Sequence, residues 1–434
     1  MRLDRRTFVQ SVGLGALGAL AGAAPLAAAP PAAPAQPALP VLPAYDAARP
    51  DAFWRAVRAL YPLRDDPVYL NTGGLGPVSQ PVLDRVGATM AEMQAHSEPE
   101  HERRIEPARQ AMARFLGARP DEICFARNAT EGNSVIAAGL ALAAGDEVIF
   151  ESHAHPGGSY PWCNQVQRRG VVVKLFEPDP ASPEGNVARI RALLTPRTKV
   201  IQVSHITCTT GLVMPVAAIA ALAHAHGAWC HVDGAQAAGM IPVDCPALGC
   251  DSYAFSGHKW LGGPHETGVL YLRRARLEEV ALTGIGSHSG ELLFLPGVVQ
   301  LEPGAHRHEY GTRNHGLIAG LIEAVRLQEA IGRDRLAAYG RAMATRLQAE
   351  LGAIPGVELL TPRADALRAS ITTFQLPRVP AAKLNDYLKR RHRLRCRPVT
   401  EQGLQAVRVS THLANSPAEC ERVIVAVRAA AREL

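Results

Sequence analysis

A lysine at the end of an apolar, strand-like run is the residue in this sequence whose type and position most clearly suggest chemistry. Lys259 stands in FSGHKWLGG, after CDSYAF and before a glycine pair. Lysine is rarely buried unless it is paired or used, so its position needs a reason. Asp233, in HVDGAQ, ends another strand-like run 26 positions earlier. The two residues could form a structural ion pair, or they could act together in catalysis.

Other polar side chains stand at the ends of the same runs. Ser256 and His258 precede Lys259, and Gln236 follows Asp233. Ligands of open α/β sheets bind at the carboxyl ends of the strands. These residues therefore predict a ligand site at one edge of a sheet.

A candidate phosphate-binding turn opens a helix at RNATEGN, residues 127–133. The first backbone N–H groups of a helix and the hydroxyl of Thr130 suit a phosphate, although Asn128 and Thr130 could serve only as caps. Together with Lys259 and Asp233, the turn points to a phosphorylated aldehyde cofactor. The lysine would form a Schiff base with it, and the aspartate would pair with a pyridinium nitrogen.

The apolar pattern from about Asp46 to residue 315 alternates between two periods. It predicts strands at 146–150, 171–176, 199–206, 228–235, 252–258 and 268–274 and helices at 128–145, 187–194 and 216–227. This alternation is typical of a mostly parallel sheet covered by helices. After His315 the pattern changes to two long amphipathic helices and then shorter elements, which predicts a smaller α+β domain.

The segment HVDGAQAAGMIPVDCPALGCDSYAFSGHKWLGGPHETGVLYL resembles the core of the class V aminotransferases. These are pyridoxal 5'-phosphate (PLP) enzymes of fold type I that include cysteine desulfurases and isopenicillin N epimerase. Further segments resemble the family in the same order: VYLNTGGLGP its substrate loop, NATEGN its phosphate turn, HAHPGGSYPW its ring-stacking segment, EYGTRNHG its partner-reaching segment and VRVSTHLANS its carboxylate-binding segment. The resemblance implies an α/β fold with a large PLP-binding domain at 45–315, built on a mostly parallel central sheet, and a small C-terminal α+β domain at 316–434.

The resemblance also implies a role for each candidate residue. Lys259 is expected to bind PLP and move the proton at the substrate α-carbon, and Asp233 to keep the pyridine nitrogen protonated. His155 is expected to stack on the pyridine ring, and it is preferred to His153 because it precedes Trp162 by seven residues. The remaining expected contacts are Gln236 with the phenolic oxygen, Thr130, Ser256 and His258 with the phosphate, Thr312 with the phosphate of the partner subunit, and Arg408 and Asn71 with the substrate. The expected protein is a homodimer with shared active sites that transaminates or epimerises a small amino-acid-like substrate.

Two departures from the family pattern leave alternatives open. Cys396, in RHRLRCRPVTEQGLQAVRVS, lies near the nucleophilic cysteine of the desulfurases, and neighbouring arginines could lower the pKa of its thiol. Pro398 follows it after two residues rather than three, and the arginine-rich segment resembles the epimerase branch instead. Cys208 replaces an Asn that many relatives carry near the phenolic oxygen. The alternatives are therefore a cysteine desulfurase or β-lyase that uses Cys396, and a non-catalytic exported binding protein on the same fold.

The histidines and the net charge argue against other ligands. His224 and His226 stand two apart on a predicted helix and point to different faces, so a metal site with His231, His153 or His155 is not expected. The formal net charge of +6 is spread along the chain without a basic block, which argues against nucleic-acid binding.

The N-terminus is predicted to be a targeting segment rather than part of the fold. Residues 1–29 combine Arg5 and Arg6 with a weakly apolar Ala- and Gly-rich run, as a twin-arginine-like export signal does. Pro25 and the glycines argue against a stable membrane span. Residues 30–44 form an Ala/Pro linker. A periplasmic or exported protein is expected, with most of the eight cysteines as small core residues.

Overall fold

The structure, a computed structural model, describes residues 38–96, 101–292 and 294–434. The predicted export signal and most of the Ala/Pro linker lie outside these residues. The described residues belong to one compact unit, and the predicted domain division after residue 315 stays a prediction. Within the described ranges, no helix has both the length and the apolar composition needed to cross a membrane.

The described residues form fifteen strands, twelve α-helices and five short 3₁₀ helices. The strands are β1 (Val68–Tyr69), β2 (Ile123–Ala126), β3 (Glu147–Glu151), β4 (Val172–Phe176), β5 (Thr198–Ser204), β6 (Trp229–Asp233), β7 (Ser252–Ser256), β8 (Gly268–Leu272), β9 (Gly290–Glu291), β10 (Gln300–Leu301), β11 (Glu358–Leu359), β12 (Ile371–Gln375), β13 (Leu394–Arg395), β14 (Arg397–Val399) and β15 (Ala406–Ser410). The helices are α1 (Asp51–Ala59), α2 (Gln80–His96), α3 (His101–Phe115), α4 (Ala129–Gly139), α5 (Pro156–Arg169), α6 (Pro183–Leu193), α7 (Val216–Ala225), α8 (Cys245–Leu248), α9 (His315–Ile331), α10 (Arg333–Gly352), α11 (Ala381–His392) and α12 (Pro417–Glu433).

A seven-stranded sheet in the order β2-β8-β7-β6-β5-β3-β4 forms the centre. Strand β8 runs antiparallel to both of its neighbours, and all other pairs are parallel. The expected mostly parallel sheet is confirmed. Both faces are buried, with Ile149, Ile201 and Val232 in the core on one side and Val148 and Ala254 in the core on the other. Such two-sided burial explains the nearly continuous apolar runs of these strands.

A second, antiparallel sheet of four strands, β11-β12-β15-β14, lies in the C-terminal part of the chain. Helices α10, α11 and α12 contribute Leu347, Leu388 and Val423 to the same buried cluster as Phe374 of this sheet. The expected C-terminal α+β region is confirmed. Strand β1 pairs in parallel with β13, so the start of the fold is joined to its end.

Most predicted element boundaries hold, with two exceptions, the first being the helix predicted over 187–194, which begins four residues earlier at Pro183. The helix expected over 128–145 ends at Gly139, because Leu140 is extended and forms a bridge with Val280. The short strands β1, β13 and β14 were not predicted, since runs of two or three residues carry no detectable period. Strand β2 and helices α1, α2, α3 and α5 were also not predicted.

Candidate active site

The phosphate turn lies where β2 passes into α4. Asn128 caps the helix, and its Oδ1 accepts a hydrogen bond from the Glu131 N–H at 2.9 Å. Ser256 Oγ accepts from the Ala129 N–H at 3.0 Å, which places the end of β7 against the helix start. Thr130 is exposed, and a Cβ on Gly157 would come within 2.3 Å of its Oγ1. The first residues of α4 and α5 therefore meet around two hydroxyl groups.

His258 completes this edge. Among the described residues, its buried Nδ1 has no hydrogen-bond partner. Burial and the neighbouring Lys259 lower the pKa of His258 to about 4. A buried polar atom without a partner is costly unless a ligand satisfies it. The hydroxyls, the helix start and this free nitrogen fit a phosphate group.

Asp233 is held by two donors at the end of β6. Its Oδ1 accepts from the Ala235 N–H at 3.0 Å, and its Oδ2 accepts from Asn133 Nδ2 at 3.1 Å. Asn133 Oδ1 lies 2.8 Å from Nε2 of His231, and burial lowers the pKa of His231 to about 3. Neutral His231 thus orients the amide group of Asn133, and this amide orients the carboxylate of Asp233. Asn133 and His231 were not among the predicted site residues, although Asn133 stands one helical turn after Ala129.

Lys259 is half-buried and has no ion pair with Asp233 in the part of the chain that the structure describes. Burial lowers the pKa of Lys259, Asp233 opposes that effect, and Arg408 and Arg397 add to it. A lowered pKa keeps more of the amine unprotonated and reactive. A Cβ on Gly76 would fall 1.8 Å from the carbonyl oxygen of Lys259, so only glycine lets the substrate loop cross here. A lysine with a lowered pKa fits the predicted reactive role, and among the described residues it forms no ion pair with Asp233.

Gln236 links the active site to the predicted substrate loop. Its Nε2 donates to the Gly73 carbonyl at 2.9 Å, and its Oε1 accepts from Trp260 Nε1 at 2.8 Å. One N–H of the amide remains for a phenolic oxygen. The residue therefore fixes the loop in addition to its predicted contact.

His155 and His153 have different surroundings. His155 caps α5, and its Nδ1 accepts from the Gly157 N–H at 3.0 Å. Burial, and then Lys259, lowers the pKa of His155. His153 instead lies 3.0 Å from Thr209 Oγ1 and 3.3 Å from a Glu177 oxygen. These partners occupy His153, which favours His155 as the ring-stacking residue.

Arg408 is a fully buried guanidinium, and no carboxylate pairs with it within the described residues. Its Nη1 donates to the Cys208 carbonyl at 2.7 Å and its Nη2 to Asn71 Oδ1 at 2.9 Å, while Nε has no partner there. Burial and the neighbouring Arg397 lower the pKa of Arg408 to about 10. A bridge between Asn71 and Ser410 holds the two predicted substrate residues together. The open Nε–Nη2 edge suits a carboxylate.

The expected lowering of the pKa of Cys396 is wrong. The side chain is 8% exposed and packs in the core of the small sheet. Burial raises the pKa of the thiol to about 12. Burial also raises the pKa of Cys208, which touches the site through its carbonyl group. None of the eight cysteines, all of them described, forms a disulfide.

Thr312 is far from Lys259 in the sequence, and it lies on the surface. It is exposed and lines a cavity of about 210 Å³ together with Arg127, Thr267 and Gly268. Its predicted contact with the phosphate of a partner subunit stays a prediction.

The histidines considered for a metal have other partners: His224 Nε2 lies 3.0 Å from Asp251 Oδ2, and His226 Nε2 lies 2.7 Å from the Thr195 carbonyl oxygen. Nowhere in the described ranges do three metal-ligating side chains cluster.

Glu151, at the end of β3, is a buried acid that is expected to make the stability of the protein depend on pH. Its Oε1 accepts from the Ser204 N–H at 3.0 Å, and its Oε2 has no partner among the described residues. Burial raises its pKa from the ordinary value of 4.5 to about 7, because the charged form loses its hydration. The folded state therefore binds more protons than the unfolded state between these two pH values. The free energy of unfolding then falls as the pH rises from about 4.5 to about 7.

We expect Glu151→Gln to remove this loss, which is about 3 kcal/mol at most. The thermal midpoint of the variant should exceed that of the unchanged protein at pH 8, and the difference should shrink at pH 5. Differential scanning calorimetry of both proteins across this range measures it. An equal pH trend in the two proteins would contradict the assignment.

Comparisons with known proteins agree with this geometry. The model of the aminotransferase class-V family matches residues 75–423. The chain belongs to this family. This class V protein is 30% identical over 403 residues to an isopenicillin N epimerase of Amycolatopsis lactamdurans, which covers 86% of this chain and 98% of the relative. It is 34% identical over 292 residues to a cysteine desulfurase of Klebsiella pneumoniae, which covers 66% of this chain and 70% of the relative.

A solved structure of a C-DES variant with glycine covalently linked to its PLP cofactor has the same fold. It matches this class V protein with a TM-score of 0.78 at 25% identity, over 86% of this chain and 98% of that chain. The protein is a PLP-dependent enzyme of class V. Lys259, Asp233 and His155 fit the pyridine ring, and the start of α4 with Ser256 and His258 fits the phosphate.

Proposed function

We propose that this enzyme acts at the α-carbon of an amino-acid-like substrate, by transamination or epimerisation. One observation carries the proposal: the buried Nε–Nη2 edge of Arg408 lies beside Asn71, and the charge of Arg408 contributes to the lowered pKa of Lys259. Arg408 would bind the substrate carboxylate through Nε and Nη2. The substrate amine would then lie towards Lys259, and the α-carbon between the two.

The chain supplies the proton transfer and the orientation. Lys259, with its lowered pKa, can accept the α-proton and return it. When bound, PLP would delocalise the electron pair that the departing α-proton leaves on the α-carbon. Asp233, oriented by Asn133, provides the negative charge that this requires. His155 would cover one face of the pyridine ring and keep water from it.

Exchange of the α-hydrogen in D₂O tests the proposal. The holoenzyme is incubated with single L-amino acids and followed by proton NMR and chiral chromatography. Loss of the α-hydrogen signal with inversion supports epimerisation, and formation of an oxo acid supports transamination. Arg408→Leu should slow exchange about 100-fold or more, because a bidentate, charge-assisted contact is lost. An absence of exchange with every amino acid would contradict the proposal and favour a non-catalytic binding protein.

Cysteine desulfurase or β-lyase activity is the second candidate, since a cysteine desulfurase is among the relatives. The burial of Cys396 and its raised pKa do not support a nucleophilic role for this residue. We expect Cys396→Ser to change any sulfur release from L-cysteine by less than about twofold, because the thiolate form is rare at this pKa. Methylene-blue detection of sulfide, with Cys163→Ser as the exposed control, measures it. A loss confined to Cys396→Ser would favour the desulfurase.

We also propose that the enzyme is a homodimer that is exported through the twin-arginine route. Phe294, Leu295 and Val298, in the loop between β9 and β10, are at least 82% exposed. Such an apolar patch suits a partner subunit, and Thr312 would then face the partner's phosphate. Arg5 and Arg6 support the export route. Sedimentation velocity tests the dimer, and the periplasmic fraction of the Arg5→Lys and Arg6→Lys double variant tests the route.

A further inference from the structure

Arg397 is a second guanidinium in the candidate active site, and the proposed reaction assigns it no role. It is paired directly with Arg408 across β14 and β15, so both side chains leave the same face of the sheet. Like charges directly opposite each other destabilise a sheet. After burial, Arg397 is the main cause of the lowered pKa of Arg408. Anions bound beside these two cations would reduce their mutual repulsion.

The chain supplies one carboxylate for these two cations. Glu401 Oε1 accepts a hydrogen bond from Arg397 Nη2, and Glu401 Oε2 accepts from the Thr400 N–H at 3.1 Å. The next two residues, Gln402 and Gly403, have φ values of 54° and 75°. A residue with a side chain rarely adopts this left-handed region, and strained backbone of this kind occurs often at ligand sites. The turn fixes Glu401 on one nitrogen of Arg397.

The other terminal nitrogen of Arg397 differs from Nη2 in its surroundings. Within the described residues, the buried Nη1 of Arg397 has no hydrogen-bond partner. Arg397 faces the site because it lies opposite Arg408 on the same face of the sheet, and its charge acts on His155 and Lys259. A buried charged donor without an acceptor is costly. Once the substrate carboxylate binds Arg408, these donors still lack an anion.

We propose that the enzyme takes an amino acid with a second carboxylate, and that Arg397 Nη1 binds this distal group. Glu401 is a positioning residue that orients the guanidinium through Nη2. A neutral side chain would leave the donors of Nη1 buried and unpaired, and a site built for a hydrogen bond discriminates against such analogues. A basic side chain would be repelled by Arg397. This inference rests on the proposed action at an amino acid α-carbon.

Matched acid and amide pairs test the inference on the holoenzyme. Isothermal titration calorimetry compares L-glutamate with L-glutamine and L-aspartate with L-asparagine, which differ in charge but hardly in shape. We expect the better acid to bind at least about tenfold more tightly than its amide, as hydrogen bonds to charged groups allow. Arg397→Gln should abolish this preference. Arg363→Gln, which removes an exposed arginine, should leave it unchanged.

The outcomes separate this inference from the proposed function. Equal binding of acids and amides, or an acid preference that survives in Arg397→Gln, overturns the role of Arg397 while the α-carbon chemistry stands. Tighter binding of L-lysine than of either acid would assign Glu401, not Arg397, to the substrate side chain. If no amino acid binds and none exchanges its α-hydrogen in D₂O, the proposed function and this inference fail together.

Discussion

Lys259→Ala is expected to lower the turnover of the enzyme by about 10⁴-fold, the upper end of what a positioned acid–base group contributes. In the proposed mechanism the variant would lose both the group that moves the α-proton and the side chain to which PLP would be covalently attached. Borohydride reduction followed by peptide mass analysis should place the cofactor on Lys259 in the unchanged protein. In the variant, no peptide should carry it.

The exposed Lys199 provides the matched control. Lys199→Ala removes an ammonium group from β5, outside the site, and should leave both labelling and turnover unchanged. Labelling at another lysine, or a variant at position 259 that turns over at the normal rate, would contradict the assignment of Lys259.

Asp233→Asn should lower kcat/KM by about 10³-fold, or roughly 4 kcal/mol of transition-state stabilisation. Asparagine keeps the shape and can still accept from the Ala235 N–H, but it lacks the negative charge that holds a proton on the pyridine nitrogen. We expect PLP to remain bound while the rate falls. Steady-state kinetics together with the absorbance of the bound cofactor separate these two effects.

A surface aspartate serves as the comparison for this variant. The side chain of Asp65 is 90% exposed, so Asp65→Asn should leave the kinetics unchanged. Should Asp233→Asn act within a few-fold of the normal rate, the pyridine nitrogen would have another partner.

Much of the fold and the centre of the site could be predicted from the sequence. The strand ends of the central sheet follow from apolar runs, and Lys259, Asp233 and Gln236 stand directly at such ends. The strand that carries Asp233 lies next to the strand that leads to Lys259, which brings the two together despite their distance in the chain. Local patterns sufficed here because each residue sits at the end of its own element.

The support of these residues could not be predicted in the same way. Asn133 meets Asp233 and His231 from a helix about 100 positions away in the chain. Such a contact depends on how α4 packs on the sheet, and no local pattern encodes it. The chemistry of Cys396 was misjudged because neighbours in sequence were taken for neighbours in space. Successive side chains of an extended segment point to opposite faces, so Cys396 enters the core while Arg397 faces the site.

The parallel pairing of β1 with β13, and the bridge from Asn71 to Ser410, set an order of events during synthesis. The ribosome releases the segment around Asn71 early, but its partners emerge only after more than three hundred further residues. Until then the substrate loop can contact only its partners on the central sheet, Gln236 and His258, and its Asn71 side has no strand to pair with. Asn71 and Arg408 can thus meet only when nearly the whole chain is made. A nascent chain stalled before β13 should therefore lack a formed carboxylate pocket.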